Sequence, residues 1–497
     1  MNPRSPESYR FRGSDDRTLL KIRKTKVKNE TQDIFRSIPS VNAVLEHETV
    51  ADLIEAKGRE TVLSWVREEV DNLRQELRSG KFDSTNSNPI DFVADRIGVR
   101  AKNHDRVQLG KVINATGVIL HTGLGRAPMS SSVKSALAEM AEAGNVEIDL
   151  ETNKRRYRGH QLLSAWQTLT HCEDALIVNN NAAATMLSLQ ALCEGKEVII
   201  SRGQLIEIGG SFRLPEVFEL SGVKLKEIGT TNRTKLRDYE NAIGPETGGI
   251  LLVHPSNYRV IGFSETPGIA ELAPLAKKHG LAIIDDIGSG SLVDVTKYGL
   301  PTEPSFQDSI AADADVVLGS GDKLLGGPQC GIILGKNKFV EKIRQHPLAR
   351  AVRVGKLTLG ALSATLDSYL RGEEEKEIPT VTMLATSADN LETRAKKICE
   401  ELADIDSLKL SVHQDRTPVG GGSLPGADLP TAVISAKADR FTADELSREL
   451  RLGRIRVYGR IQENAVLLDM RSVFPDDDSR IVLALRLIAE NDPIRQN

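Results

Sequence analysis

The sequence predicts an α/β protein whose central domain is built around a largely parallel sheet, with a small helical domain before it and an α+β domain after it. Between about residues 111 and 372, apolar runs of strand length alternate with helical segments. Residues 34–77 instead carry apolar side chains at three- and four-residue steps, the spacing of one helix face. The predicted domains are a basic arm at 1–33, a helical domain at 34–95, the α/β domain at 96–372 and the α+β domain at 373–497.

Composition and charge predict a soluble globular protein of the cytoplasm. The chain has 497 residues, of which 40% are hydrophobic and 27% charged. It offers no run of about 18 apolar residues and no apolar leader, so we expect neither a membrane segment nor secretion. The net charge of −4 gives no general attraction to nucleic acid, so a polyanion would need a local basic patch.

The four cysteines predict neither a metal site nor a redox pair. They are far apart, lie in or beside apolar runs and lack the paired CxxC spacing of zinc sites. We therefore expect buried, reduced thiols and no bound metal.

Two basic segments are candidates for such a local patch. The first thirty residues are polar and basic, which is typical of a flexible arm, and a solubilising tail explains this as well as a role with nucleic acid does. In the helical domain, Arg67, Arg74, Arg78 and Lys81 lie off the apolar stripe and predict a basic ridge. Such a ridge is most often a solvated helix face.

Seven apolar runs predict the strands of the α/β domain, and nearly all are followed by polar or glycine-rich loops. Ligands of α/β proteins bind at the carboxyl ends of the strands, so these loops are where we expect the site. The predicted strands are 175–178, 197–201, 224–228, 250–254, 281–285, 316–318 and 331–334. In the α+β domain, VGGGSLPG at 419–426 predicts a loop, because glycine and proline together disfavour a regular ladder.

The segment VVLGSGDKLLGGPQCGIILG places Lys323 in a glycine-rich loop between two strands, three residues after Ser320. A lysine enclosed by small residues loses its proton easily and can form a Schiff base. Taken alone, however, most lysines are surface residues. Its companions in neighbouring loops therefore decide the interpretation.

Those companions are a carboxylate and a set of asparagines. In IIDDIGSGS a strand places two adjacent carboxylates on opposite faces. We choose Asp286 as the partner of the pyridine nitrogen of pyridoxal 5'-phosphate, with capping of the next helix as the alternative. Asn180 and Asn181 precede a helix whose free N–H groups suit a phosphate monoester, although ordinary N-capping explains them equally well. Asn257 in HPSNYR follows a strand and is a candidate to form a hydrogen bond with the phenolic oxygen of the same cofactor. This order of loops, ending in Ser320 and Lys323, is how the large domain of the aspartate-aminotransferase type holds pyridoxal 5'-phosphate.

Longer motifs carry a more specific resemblance. The strings INATGVILHTGLGRAP, SRGQLIEIGGSFRLPEV, GTTNRT, HPSNYRVIGF, DDIGSGSL, SGDKLLGGPQCG and HPLARAVRVGKLTL together resemble the bacterial selenocysteine synthase (L-seryl-tRNA(Sec) selenium transferase) family. The resemblance runs from about Ile38 into the C-terminal region and leaves out only the basic arm.

The resemblance implies a fold type I pyridoxal-phosphate enzyme with Lys323 as its Schiff-base lysine. The implied reaction converts seryl-tRNA(Sec) to selenocysteinyl-tRNA(Sec) through an aminoacrylyl intermediate, with selenophosphate as the selenium donor. Asp322 is a candidate proton donor to the leaving hydroxyl. Arg126, Arg350 and Arg353 match arginines around the selenium donor's anion, and we expect the last two, three residues apart, to share a helix face.

The resemblance also implies a helical N-terminal domain that grips the tRNA and a ring-shaped homo-oligomer built from dimers. Two other interpretations remain open from the residues. One is a related pyridoxal-phosphate lyase acting on a small amino acid or amino-sugar acid, against which the separate basic helical domain counts. The other is a tRNA-binding scaffold with an inactive site, against which intact Lys323, Asp286 and Ser320 count.

Overall fold

The computed structural model describes residues 38–79, 88–107, 109–209 and 212–490. The chain divides into two compact units between Lys111 and Val112. The predicted basic arm at 1–33 lies outside the described residues. Within the described ranges, no helix combines the length and the apolar character needed to cross a bilayer.

The first unit is helical, as its apolar spacing predicts. Its described helices are α1 Val41–Leu45, α2 Glu48–Lys57, α3 Arg59–Ser79 and α4 Pro89–Val107. The apolar stripe of α3 is buried against its neighbours at Val62, Val66, Val70, Leu73 and Leu77. Helix α4 runs through the predicted domain boundary at 95/96, so that the whole helix belongs to this unit.

The second unit is built on a seven-stranded sheet, and all seven predicted strands are present. They are β1 Asp174–Val178, β2 Glu197–Ser201, β3 Lys224–Ile228, β4 Thr247–Val253, β5 Ala282–Gly288, β6 Val316–Ser320 and β7 Gly331–Gly335. Their order across the sheet is β1-β7-β6-β5-β4-β2-β3, and β7 alone runs antiparallel to its neighbours. The predicted fold class is confirmed.

The central strands are buried on both faces, which explains their nearly continuous apolar sequences. Helices supply the covering layers. Those of the second unit before the C-terminal sheet are α5 Ser131–Ala141, α6 Leu163–Thr170, α7 Asn181–Cys193, α8 Leu214–Leu220, α9 Leu236–Ala242, α10 Ile269–Lys278, α11 Phe306–Ala311, α12 Asn337–Gln345, α13 Leu348–Ala351, α14 Lys356–Leu370, α15 Glu374–Glu377, α16 Pro379–Ala385 and α17 Ala388–Glu400. Short strand pairs join Ile113–Asn114 to Val457–Tyr458, Ile148–Asp149 to Lys154–Arg155, and Glu207–Ile208 to Phe212–Arg213.

A four-stranded antiparallel sheet forms the C-terminal part, in the order β8-β9-β11-β10. Its strands are β8 Leu408–Gly420, β9 Ser423–Ala438, β10 Arg460–Gln462 and β11 Ala465–Asp469, and its helices are α18 Ala443–Leu452 and α19 Asp478–Glu490. The predicted loop at 419–426 is wrong in extent, because β8 and β9 stay paired up to Gly420 and Ser423. Only Gly421 and Gly422 form the turn, and both adopt the positive φ that glycine tolerates.

Two glycines let the loops of the large sheet approach one another closely. A Cβ at Gly290 would lie 2.2 Å from the carbonyl oxygen of Ser320, and one at Gly331 would lie 2.2 Å from that of Asn180. No side chain fits at such distances. The loops after β1, β5 and β6 therefore meet at one end of the sheet because these positions lack side chains.

Candidate active site

Lys323 lies in the loop after β6 and is buried, with 7% of its surface exposed. Its ammonium group lies 3.4 Å from the carbonyl oxygen of Gly422, which accepts from it. Burial lowers the pKa of the Lys323 amine, while the carboxylate of Asp286 opposes that shift by attraction. The side chain thus has the enclosed position that the sequence predicts.

Asp286, on β5, is 4% exposed and is held by three donors. Its Oδ1 accepts from Asn181 Nδ2 at 2.8 Å and from the Gly288 amide at 3.1 Å, and its Oδ2 accepts from Thr185 Oγ1 at 2.9 Å. Burial raises the pKa of this carboxyl, whereas those donors and the charge of Lys323 favour the ionised form. The carboxylate is therefore oriented by its neighbours and electrostatically linked to the lysine.

The adjacent Asp285 points to the other face of the sheet, as strand alternation predicts. Its Oδ2 accepts from Ser309 Oγ at 2.6 Å, and burial raises its pKa to about 6. The structure therefore supports the choice of Asp286 over Asp285 as the residue that faces Lys323.

The two predicted asparagines take different roles at the start of α7. Asn180 is the N-cap, and its side chain accepts from the Ala183 amide at 2.9 Å. Asn181 instead reaches Asp286, and its own Oδ1 is buried without a protein partner. N-capping is therefore confirmed for Asn180, whereas the phosphate contact of this helix start stays a prediction.

Ser320 ends β6 in a buried position, opposite Gly331 in the ladder. Asn257 is different: its side chain is exposed, and its Nδ2 donates to the Glu207 carbonyl at 2.6 Å. The contact of Asn257 with a cofactor stays a prediction, and it is the preceding residue that this loop turns inward. Ser256 is buried instead.

Ser256 belongs to a set of site residues that sequence reasoning missed. A Cβ on Gly422 would lie 3.5 Å from Ser256 Oγ and 3.7 Å from Lys323 Nζ, so the hairpin tip, Ser256 and the lysine meet at one point. Thr185 lies one helical turn after Asn181, a spacing that could have indicated it. Nothing local to Gly422 could have, since it lies 99 residues from Lys323 in the chain.

Arg126 and Asp322 form an ion pair beside the lysine. Arg126 Nη1 donates to Asp322 Oδ2 at 2.8 Å, and the Ala127 amide donates to the Asp322 carbonyl at 3.2 Å. Arg126 has a positive φ, and its Nε is buried without a protein partner. One donor of this guanidinium is therefore available to a ligand.

Arg350 and Arg353 are both exposed but do not share a helix face, so that expectation is wrong. Helix α13 ends at Ala351, and Arg353 lies beyond it in a bridge with Val178 at the end of β1. The guanidinium of Arg353 lies 3.8 Å from Glu147. Arg353 is thus brought to the carboxyl end of β1 by pairing with the strand rather than by helical spacing.

These residues fit pyridoxal 5'-phosphate. The cofactor requires a lysine amine that can shed its proton, a carboxylate for its ring nitrogen and donors for its phosphate. Lys323 and Asp286 supply the first two, and the start of α7 is at the same end of the sheet. Buried polar atoms without protein partners, among them Asn181 Oδ1 and Ser289 Oγ, are left for a bound group to satisfy.

The fold and the site together define a pyridoxal-phosphate-dependent enzyme of fold type I. Among solved structures, D-glucosaminate-6-phosphate ammonia-lyase has a similar fold, with a TM-score of 0.54 and 22% identity, over 78% of this chain and 98% of that one. At this identity the likeness speaks for the fold alone.

Sequence comparison is more specific. The family model for L-seryl-tRNA selenium transferase matches residues 112–474, and that for the selenocysteine synthase N terminus matches residues 35–74. The L-seryl-tRNA(Sec) selenium transferase of Alkaliphilus metalliredigens is 43% identical over 92% of this chain and 99% of its own length. That of Carboxydothermus hydrogenoformans is 42% identical over 90% and 96%. The chain belongs to the L-seryl-tRNA selenium transferase family.

Proposed function

We propose that this protein converts seryl-tRNA(Sec) to selenocysteinyl-tRNA(Sec), with pyridoxal 5'-phosphate as cofactor and selenophosphate as selenium donor. The observation that carries the proposal is the buried Lys323 amine paired electrostatically with Asp286, in a chain matched along its length by relatives with this name. The overall reaction exchanges the seryl hydroxyl for selenium and releases phosphate.

Bound pyridoxal phosphate draws electrons from the bonds at the amino acid's α-carbon. Lys323 then has the role of the base that takes the α-proton, since burial favours its neutral, proton-accepting form. Asp286, fixed by Asn181 and Thr185, would bind the ring nitrogen of the cofactor and favour its protonated form. Asn180, Asn181 and Ser320 line the cofactor's end of the sheet.

We assign to Asp322 the delivery of a proton to the departing hydroxyl. It directly precedes Lys323, is 6% exposed and is oriented by Arg126. Its proton would be the one that Lys323 has taken from the α-carbon, which Asp322 would pass on to the departing hydroxyl. Arg126 thereby links this proton transfer to the binding site of the selenophosphate anion.

We assign the selenophosphate site to Arg126, Arg350 and Arg353. Arginine suits a phosphate-like anion because its planar donors bind two oxygens together. Glu147 holds this region in place: it accepts from Arg155 and Arg158 and lies 3.8 Å from Arg353. An incoming anion would compete with Glu147 for the Arg353 guanidinium.

Replacing Arg353 by glutamine is expected to raise the KM for selenophosphate about ten- to a hundredfold, the effect of losing a charge-assisted hydrogen bond. The KM for seryl-tRNA should change much less. Steady-state kinetics with each substrate varied in turn measures both. Arg156→Gln is the matched control, because Arg156 is an exposed arginine of the same region that pairs with Asp149. Equal responses of the two variants would remove Arg353 from the anion site.

We assign contact with the tRNA to the first unit. We also propose that the subunits assemble into a ring built from dimers. Arg67, Arg74 and Arg78 are exposed on α3, which supports a basic ridge facing the phosphate backbone, while Lys81 lies outside the described residues. In the second unit, Ile261 and Phe263 are 86% and 76% exposed, as apolar side chains at subunit contacts are before assembly. Light scattering of the purified protein measures the assembly directly.

The function is tested by incubating the purified protein with seryl-tRNA and selenophosphate and analysing the aminoacyl group by mass. We expect the serine mass to be replaced by that of selenocysteine. The competing lyase function predicts unchanged serine together with turnover of a free small amino acid or amino-sugar acid. Unchanged serine with no turnover of any kind would favour an inactive scaffold.

A further inference from the structure

A cavity of about 450 Å³ lies beside the lysine site and contains polar groups that the reaction described above does not use. It is bordered by the loops after β2 and β4, by the segment Pro301–Glu303 and by Leu424 and Pro425 near the hairpin tip. Its size is within the range of sites for small molecules or single nucleotides.

The unsatisfied groups of this cavity are mainly hydrogen-bond acceptors. Glu303 has a side chain only 2% exposed, yet its Oε1 has no donor, and the buried Oε1 of Gln204 also lacks one. His254 Nε2 lies 3.5 Å from the other oxygen of Glu303 and makes no hydrogen bond. Burying a carboxylate oxygen without a donor is costly, so these groups favour a ligand that donates hydrogen bonds. A phosphate or carboxylate group would instead be repelled by Glu303.

The cavity is linked to the lysine site by contacts between their neighbouring residues. The His254 amide donates to the Asp286 carbonyl at 2.9 Å, and the Glu303 carboxylate attracts the Lys323 ammonium. Leu424 lies two residues after Gly422, whose carbonyl accepts from Lys323. A molecule that reacts at Lys323 could therefore extend into this cavity.

We infer that the cavity binds the 3'-terminal nucleoside of the aminoacyl-tRNA, with Glu303 accepting a hydrogen bond from the ribose 2'-hydroxyl. The inference rests on the proposed function, because only an esterified serine carries a ribose into the site. With the serine α-carbon at Lys323, the ester places the sugar a few bonds away. Carboxylates recognise ribose hydroxyls in this way at other nucleotide sites. The Oε1 of Gln204 would then accept a hydrogen bond from a donor on the base.

The test is a cycle that combines Glu303→Met with seryl-tRNA ending in 2'-deoxyadenosine, the serine being esterified to its 3'-hydroxyl. Methionine has a similar length but no acceptor. For the unaltered protein, loss of the 2'-hydroxyl should lower kcat/KM about ten- to a hundredfold, as for a hydrogen bond to a charged group. Glu303→Met should show a similar loss with normal seryl-tRNA and little further loss with the deoxy substrate.

Glu303→Leu, which also lacks an acceptor, is the second variant should the methionine variant lose its visible cofactor absorbance. Glu265→Gln is the matched control, because Glu265 borders the same cavity but is about half exposed and bound to Arg233. It should respond to the 2'-hydroxyl as the unaltered protein does. Equal sensitivity of the Glu303 variants and the unaltered protein to the 2'-hydroxyl would overturn the inference. Failure of the unaltered protein to convert normal seryl-tRNA would overturn the proposed function instead.

Discussion

Replacing Lys323 by alanine is expected to lower kcat/KM for seryl-tRNA by about 10⁴-fold or more, the scale on which central catalytic groups act. Two roles are lost together: the amine that attaches the cofactor and the base that takes the α-proton. The purified variant should also lack the cofactor's visible absorbance band. Borohydride reduction followed by peptide mass analysis should find the cofactor on Lys323 of the unaltered protein.

Lys338→Ala is the control for the loss of a lysine. Lys338 is exposed and lies just after β7, in the same unit as Lys323. It should retain full activity and absorbance. A Lys323→Ala protein with more than about one hundredth of the normal rate would contradict the central assignment, since the principal base would still be present.

Replacing Asp286 by alanine is expected to lower kcat about 10²- to 10³-fold, as loss of a fixed electrostatic group in an active site does. Without this carboxylate the ring nitrogen of the cofactor is no longer held protonated, and the ring withdraws electrons less effectively. Cofactor affinity, measured by absorbance titration, should fall as well. Lys323 remains in place, so some activity should survive.

Asp285→Asn is the matched control, because Asp285 precedes Asp286 on the same strand and bonds Ser309 on the opposite face. Its effect on kcat should stay within a few-fold.

Asp286→Asn should lower the pKa of the Lys323 amine. The carboxylate raises this pKa by attraction, so its removal lowers the pKa further. In cofactor-free protein, labelling of Lys323 by an amine reagent should then reach its midpoint at lower pH. A shift to higher pH would contradict the pairing.

The sequence was informative where the structure depends on neighbouring residues. Apolar runs of strand length predicted all seven strands of the large sheet, because a strand buried on both faces must be apolar throughout. Lys323, Asp286 and Asn181 could be chosen for the same reason, since each lies within three residues of the end of such a strand. Alternation along β5 separated Asp286 from Asp285 without any tertiary information.

Sequence reasoning was weaker in loops and at short elements. It chose Asn257, whereas the folded loop buries Ser256 and leaves Asn257 exposed. It placed Arg350 and Arg353 on one helix face, but the helix ends at Ala351. Which of two adjacent loop residues points inward depends on the backbone dihedrals, and these are set by packing against distant segments.

The sequence by itself determined the fold class, the strands and the lysine and carboxylate of the site, because these follow from local apolar patterning and from residues at strand ends. The tertiary structure alone decided that the Gly421–Gly422 turn reaches Lys323 and that Ser256, rather than Asn257, is buried. It also decided that Glu303 borders a cavity with its Oε1 buried and without a donor. Those contacts join segments far apart in the chain, and no local pattern specifies which distant loops meet.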